Sequence, residues 1–227
     1  MLLSIPDTLA LIYFLGSWIA YSIVIERSEH GRGSLNAQMH GYREQWMMQM
    51  LARDMRMVDA QVTAALQNGT AFFASTSLIA IGGALTLFRS TGEVVALVAA
   101  LPFGVTPTAG QWEAKILGLI IIFAYAFFKF AWSYRLYNYV AIMVGAAPPA
   151  RERKTRHAVR LAHRMSHMCA DAGRHFNRGQ RAFFFALGYL GWFLGPVPLA
   201  LTTTAVVVVM WRRQFVSESR LAFSNEP

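Results

Sequence analysis

Residues 182–211 run for 30 positions without a charged side chain. Residues 8–25 and 60–88 are also uncharged, and a fourth apolar stretch, 116–143, is interrupted only by Lys129 and Arg135. A helix of about 20 mostly apolar residues crosses the hydrocarbon core of a bilayer. A water-soluble domain of this size would alternate its apolar residues instead of pooling them. The pattern predicts an all-α fold, an integral membrane helical bundle of about four transmembrane helices. The expected spans are 8–25, 69–88, 116–138 and 182–211, within a single membrane domain covering 1–227.

Between the spans the periodicity changes. Met47, Met50, Leu51, Met55, Val58, Val62 and Leu66 recur at steps of three or four, which predicts an amphipathic helix over 35–67 running into the next span. Ala158, Leu161, Met165, Met168, Cys169, Ala172 and Phe176 do the same, predicting a second amphipathic helix over 151–181 with most arginines on its other face. The loop 89–115 carries a short apolar part, 94–103, punctuated by Pro102 and Pro107. The last run would be about 45 Å long as one helix, against a core of about 30 Å. Gly195, Pro196 and Pro198 near its centre leave two readings open: one kinked span, or two short helices.

The net charge of +9 is placed beside the membrane segments. Nine of the 21 basic residues lie in 151–181. That clustering fits an orientation signal and attraction to anionic lipid better than nucleic acid. With four spans, the two amphipathic segments share the cytoplasmic side and both termini face outward. A five-segment count moves the tail, with Arg212 and Arg213, to the cytoplasm. The N-terminus has no basic lead before its apolar run, so it reads as a retained anchor helix. Cys169 is the one cysteine, so neither an intramolecular disulfide nor a cysteine-based zinc site can form.

Several stretches carry a resemblance. They are Glu44-Gln-Trp-Met-Met-Gln-Met-Leu-Ala-Arg53 with Val58-Asp-Ala-Gln61, Gly69-Thr-Ala-Phe-Phe-Ala-Ser-Thr76 with Gly82 and Gly83, and Phe130-Ala-Trp-Ser-Tyr-Arg135 with Asn138 and Tyr139. Further along come His175-Phe-Asn-Arg-Gly179, Ala186-Leu-Gly-Tyr-Leu-Gly-Trp-Phe-Leu-Gly-Pro196 and Trp211-Arg-Arg-Gln-Phe215. In this order they resemble the bacterial branch of the domain of unknown function 599 family of multi-pass membrane proteins. The resemblance implies a membrane location and about four helices, and no activity.

Three sets of residues are candidates for chemistry. Lys129 and Arg135 lie within an expected span, where charge is costly and faces protein or water, or snorkels to the boundary. With Asn138, Arg178 and Arg181 they form a candidate site for a ligand or an anionic lipid headgroup; Glu26, Glu29 and Asp59 are acids at the right boundary to pair with Arg135. Ser75 and Thr76 either line a polar path or serve helix packing. His163, His167, Asp171 and His175 repeat every four residues, a spacing at which paired imidazoles bind metal, although the surrounding arginines repel a cation. There is no phosphate-binding glycine loop, no His-Glu-x-x-His and no Gly-x-Ser-x-Gly. The leading expectation is a non-enzymatic scaffold, accessory subunit or lipid-interacting protein without a cofactor. Its expected partners are anionic membrane lipid, a second copy or another membrane protein. The alternatives are a transporter or channel subunit and a membrane-embedded enzyme.

Overall fold

The computed structural model describes residues 4–27, 35–99 and 108–215, and these are almost wholly helical, with no strand among them. The elements are α1 (Ile5–Arg27), α2 (Leu35–Leu51), α3 (Met57–Arg89), α4 (Thr91–Ala99), α5 (Ala109–Gly145), α6 (Arg156–Tyr189) and α7 (Pro196–Phe215), with short 3-10 turns at Ala150–Glu152 and Leu190–Leu194. Of these, α1, α3 and α5 are long and apolar enough to cross a membrane. The chain divides into two compact units, and α3, α5 and α6 each contribute one part to either.

The first unit comprises Met1–Ser34, Ser77–Tyr125 and Arg181–Pro227. Ser4 opens α1 as an N-cap: its hydroxyl accepts the Asp7 backbone N–H at 3.2 Å and donates to the Asp7 carboxylate at 2.6 Å. The core of this unit is aromatic. Phe14 meets Phe185 and Tyr189 edge-on, while Trp18 stacks flat on Phe185 at 5.3 Å. Trp112 and Ile116 of α5 are buried with Ala84 of α3.

The uncharged run 182–211 does not form one kinked span. It is divided by the 3-10 turn and by Gly195, whose φ of 129° only glycine adopts without strain. Pro196 then starts α7, where its missing N–H costs nothing. The two arms pack closely. The Thr202 hydroxyl donates to the Gly188 carbonyl at 2.6 Å, and a Cβ at Gly191 would meet the Thr202 Oγ1 at 2.3 Å and the Pro198 carbonyl oxygen at 2.8 Å. Helix α7 lies alongside α1 in the same direction: Trp192, just before α7, bonds Asp7; Thr204 bonds Tyr13; and Arg213 acts electrostatically on Tyr21. Ile5 and Phe215 therefore stand at opposite ends of this unit.

The second unit comprises Leu35–Thr76 and Ala126–Gln180. Its core joins Met47, Met50 and Leu51 of α2, Tyr137, Val140 and Val144 of α5, and Ala158, Ala162, Met165, Cys169 and Ala172 of α6. The buried stripe expected on α6 is observed, and the helix continues unbroken to Tyr189.

The helix expected over 35–67 is corrected. Residues 52–56 break it, with Ala52 and Arg53 closing the last turn of α2 by i→i+3 bonds to Gln49 and Met50. After the break most of the stripe turns outward: Met55, Val58 and Val62 are exposed and Leu66 alone packs against the core, while Asp59, Thr63 and Thr70 are buried. The physical reason is Asp59, which is held inside by two hydrogen bonds and so sets the rotation of α3. Thr63 and Thr70 tolerate the same face because each hydroxyl donates to the carbonyl four residues back on its own helix. In the loop 89–115, residues 91–99 form α4; Pro102 and Pro107 lie outside the described residues, as does Glu29.

Candidate functional site

The two units bury polar groups in different ways, and neither arrangement matches the sites expected from spacing. In the first unit Lys115, 5 % exposed, donates from Nζ to the Trp192 carbonyl at 2.8 Å and lies over the Trp192 ring at 5.3 Å. The indole Nε1 donates to the Asp7 carboxylate at 2.8 Å. One ammonium and one carboxylate thus hold the same tryptophan from two sides and fasten the turn between α6 and α7 to the starts of α1 and α5. At the other end of α1, Arg181 forms an ion pair with Glu26 and is itself only 7 % exposed. Arg213 lies over the Phe184 ring.

Between α1 and α5 of this unit lies a cavity of about 720 Å³. Phe14, Trp18 and Ser22 line one wall, Gly118 and Tyr125 the other, and Tyr189 and Trp192 the floor. Its lining is almost entirely hydrocarbon and aromatic. It opens beside Leu15, Ile19, Leu117 and Ile121, all exposed. Burying a hydrocarbon chain against such a surface is favourable by about 25 cal/mol per Å² when the chain comes from water.

In the second unit Asp59 is 0 % exposed. One of its oxygens accepts from the Trp46 indole and from the Arg53 guanidinium, each at 2.7 Å. Its neighbour Arg56 closes the end of α5: Nη1 donates to the Ala147 carbonyl at 2.6 Å and Nη2 to the Pro148 carbonyl. A cation there satisfies carbonyls of the chain leaving the helix, reaches the Val144 carbonyl of its last turn at 3.4 Å, and complements the negative end of its dipole. Neither role was legible beforehand. The signal was present in the Arg53–Asp59 spacing across a break, but the break itself depends on the fold.

The residues of the expected anion-binding set are divided between the two units. Arg135 is exposed, donates to the Tyr139 hydroxyl at 2.6 Å and lies near the faces of Trp132 and Tyr139, all on its own helix. Asn138 accepts from Gln67 at 2.5 Å, a bond that fastens α3 to α5. Lys129 is half-buried on α5 and Arg178 half-buried on α6, in the second unit, whereas Arg181 is committed to Glu26 in the first.

Ser75 is exposed, and Thr76 donates to the Phe72 carbonyl of its own turn at 2.8 Å, so neither belongs to the cavity. Of the small residues around them Thr70 and Ser77 are buried, whereas among the described residues nothing stands within 4 Å of a Cβ at Gly69, Gly82 or Gly83.

The four-residue metal set is also corrected. Among the described residues no group of three His, Cys, Asp or Glu side chains converges. His163 turns to Glu44 at 3.2 Å, Asp171 pairs with Arg174, His167 faces His40 with ring centres 6.1 Å apart, and His175 lies against Trp132. The regular spacing put them on one helix face, but each found a different neighbour. Cys169 is buried, and burial pushes its thiol up from the ordinary range, so it is poorly nucleophilic there.

No curated protein and no solved structure matches this chain. A family model does, over residues 9–219, which takes in most of α1, all of α3 and α5, the cavity lining, the Asp59 cluster, and Lys115 and Trp192 of the other cluster but not Asp7. The chain belongs to the family of proteins of unknown function DUF599.

Proposed function

We propose that this chain is a multi-pass protein of the bacterial inner membrane whose first unit holds the hydrocarbon chain of a membrane lipid, and that it works as a lipid-interacting accessory protein. The observation that carries the reading is the cavity between α1 and α5, apolar throughout its length and open on a face of exposed leucine and isoleucine.

Two helices supply a membrane ruler. Along α1, Asp7 and Glu26 are separated by about 28 Å, and along α5, Lys115 and Arg135 by about 30 Å, each close to the thickness of a hydrocarbon core. Exposed Trp132, Tyr134 and Tyr139 surround Arg135, as rings do at a membrane–water boundary. The cation-rich segments then face the cytoplasm. The parallel course of α1 and α7 supports an N-terminus outside and a tail, with Arg212 and Arg213, inside. Exposed arginines on that side favour an anionic leaflet.

The test fills the cavity. A Ser22→Phe/Ala114→Phe double variant, purified in mild detergent, is compared with the parent by lipid mass spectrometry. Lipid carried by the parent should fall to background in the variant at unchanged helicity. An equal lipid content in both would remove the proposal.

A further inference from the structure

The membrane ruler leaves parts of α3 and α5 over. Counting 20 residues back from Arg89 reaches Gly69, and Met57 lies 12 residues further, about 18 Å beyond along α3. Counting 20 residues from Lys115 reaches Arg135, and Gly145 lies ten residues further, about 15 Å along α5. Helices of about 50 and 55 Å exceed a core of about 30 Å by more than the usual tilt absorbs. These overhanging ends belong in water, yet one of them is apolar. Met55 is 73 % exposed, Met57 63 % and Val58 58 %. Arg56, between them, is turned inward onto the carbonyls of Ala147 and Pro148. That grip sets the methionines beside the chain that leaves α5. Only a few residues on, Arg151, Arg153, Lys154 and Arg156 are exposed, with Glu152 the one acid among them.

From this juxtaposition we infer a docking surface in the second unit: an apolar centre of Met55, Met57 and Val58 with a basic rim of Arg151, Arg153, Lys154 and Arg156, built for an acidic amphipathic segment of a water-side protein. Methionine and arginine are the residues enriched at protein interfaces, and methionine adapts its shape to what it meets. The rim steers an acidic partner and sets its orientation, while the apolar centre holds it. A bilayer is disfavoured as the occupant by the length of the overhang. Nucleic acid is disfavoured because the centre offers hydrocarbon to a phosphate backbone and residues 146–164 hold no Phe, Tyr or Trp for stacking. The inference rests on the membrane reading only in choosing a water-side protein over lipid.

The test uses the full chain in discs of neutral phosphatidylcholine, with a photo-crosslinking amino acid in place of Met57 and, as a bilayer control, in place of Ile79. The probe is a labelled helical peptide with leucine on one face and glutamate on the other, and its twin has lysine for glutamate. Position 57 should crosslink the glutamate peptide and not the lysine twin. The adduct should fall roughly tenfold with Arg151→Glu/Arg153→Glu/Lys154→Glu, and likewise in about 0.5 M salt. Replacing Met55 and Val58 by serine should weaken it by a similar factor. Equal adducts with both peptides, no adduct, displacement of the peptide by an oligonucleotide, or lipid adducts at 57 matching those at 79 would each overturn the inference. Lipid adducts missing at 79 as well would instead fault the membrane reading.

Discussion

The two units are built from some of the same helices and keep their polar groups in opposite places. In the first, charge sits at the ends of apolar rods: Asp7 and Lys115 on the Trp192 turn, Glu26 and Arg181 at the far end of α1. Its long sides are exposed leucine, isoleucine and valine. In the second, a carboxylate is enclosed in the interior, the core is methionine and alanine, and arginines cover the outer face of α6. On the membrane reading proposed above, one continuous helix such as α5 meets lipid over one stretch and water over the next. Where water is present outside, an apolar core drives folding. Where lipid is outside, burial of apolar surface offers little, and close packing with a few well-placed polar bonds decides the arrangement.

The sharpest way to break this comparison is to remove one buried charge from each unit. Asp59→Ala removes the acceptor of the Trp46 indole and a solvent-screened pair with Arg53, which is 43 % exposed, and should destabilise the second unit by about 2–4 kcal/mol in chemical unfolding. Lys115→Met, in the first unit, removes a charged bond to a carbonyl and should cost about 1.5–3 kcal/mol. Its effect should appear as faster hydrogen exchange at the turn before Gly195, with the second unit's core unchanged. Equal loss of protection in both units from either variant would show that they do not behave as separate bodies.

A smaller effect separates packed glycines from open ones. A Cβ at Gly179 would meet the Phe130 ring at 2.7–2.9 Å, whereas nothing stands within 4 Å of one at Gly82. Gly179→Ala should therefore lower the melting temperature by an amount equivalent to about 1–3 kcal/mol. Gly82→Ala should be neutral, or raise stability by up to about 1 kcal/mol through helix propensity. Similar losses from both would mean that Gly82 is packed against something in the membrane preparation. The smallest expected effect is at Cys169. Its buried thiol, with protonation favoured by burial, should resist maleimide in the folded protein and react promptly once the chain is unfolded. Rapid labelling without unfolding would show that the core of the second unit opens readily.

Much of this was legible without coordinates. The long helices follow from local runs of apolar residues, and the buried stripe of α6 from its period, because both signals are carried by neighbours in the chain. The reading failed at residues 52–56, and at Gly195 it left open the choice that the fold made. The stripe through Met55, Val58 and Val62 continues in period across a break that comes from Asp59 being drawn inward by Trp46 and Arg53. The His163–His175 spacing failed differently. It correctly put four groups on one face, but a helix face does not choose its partners, and Glu44, His40 and Trp132 came from other elements.

The sequence by itself determined an all-helical chain with long apolar runs, its strong basic bias, and the family to which it belongs, since hydropathy, charge and motif order are properties of the string; about four spans were expected from it, against three helices long and apolar enough among the described residues. The tertiary structure alone decided that the last apolar run folds back on itself, that α1 and α7 run the same way, and that a hydrocarbon-lined cavity opens between α1 and α5. Those outcomes depend on contacts such as Lys115 with Trp192 and Glu26 with Arg181, made between residues far apart in the chain. No local period encodes which distant partner satisfies a buried charge.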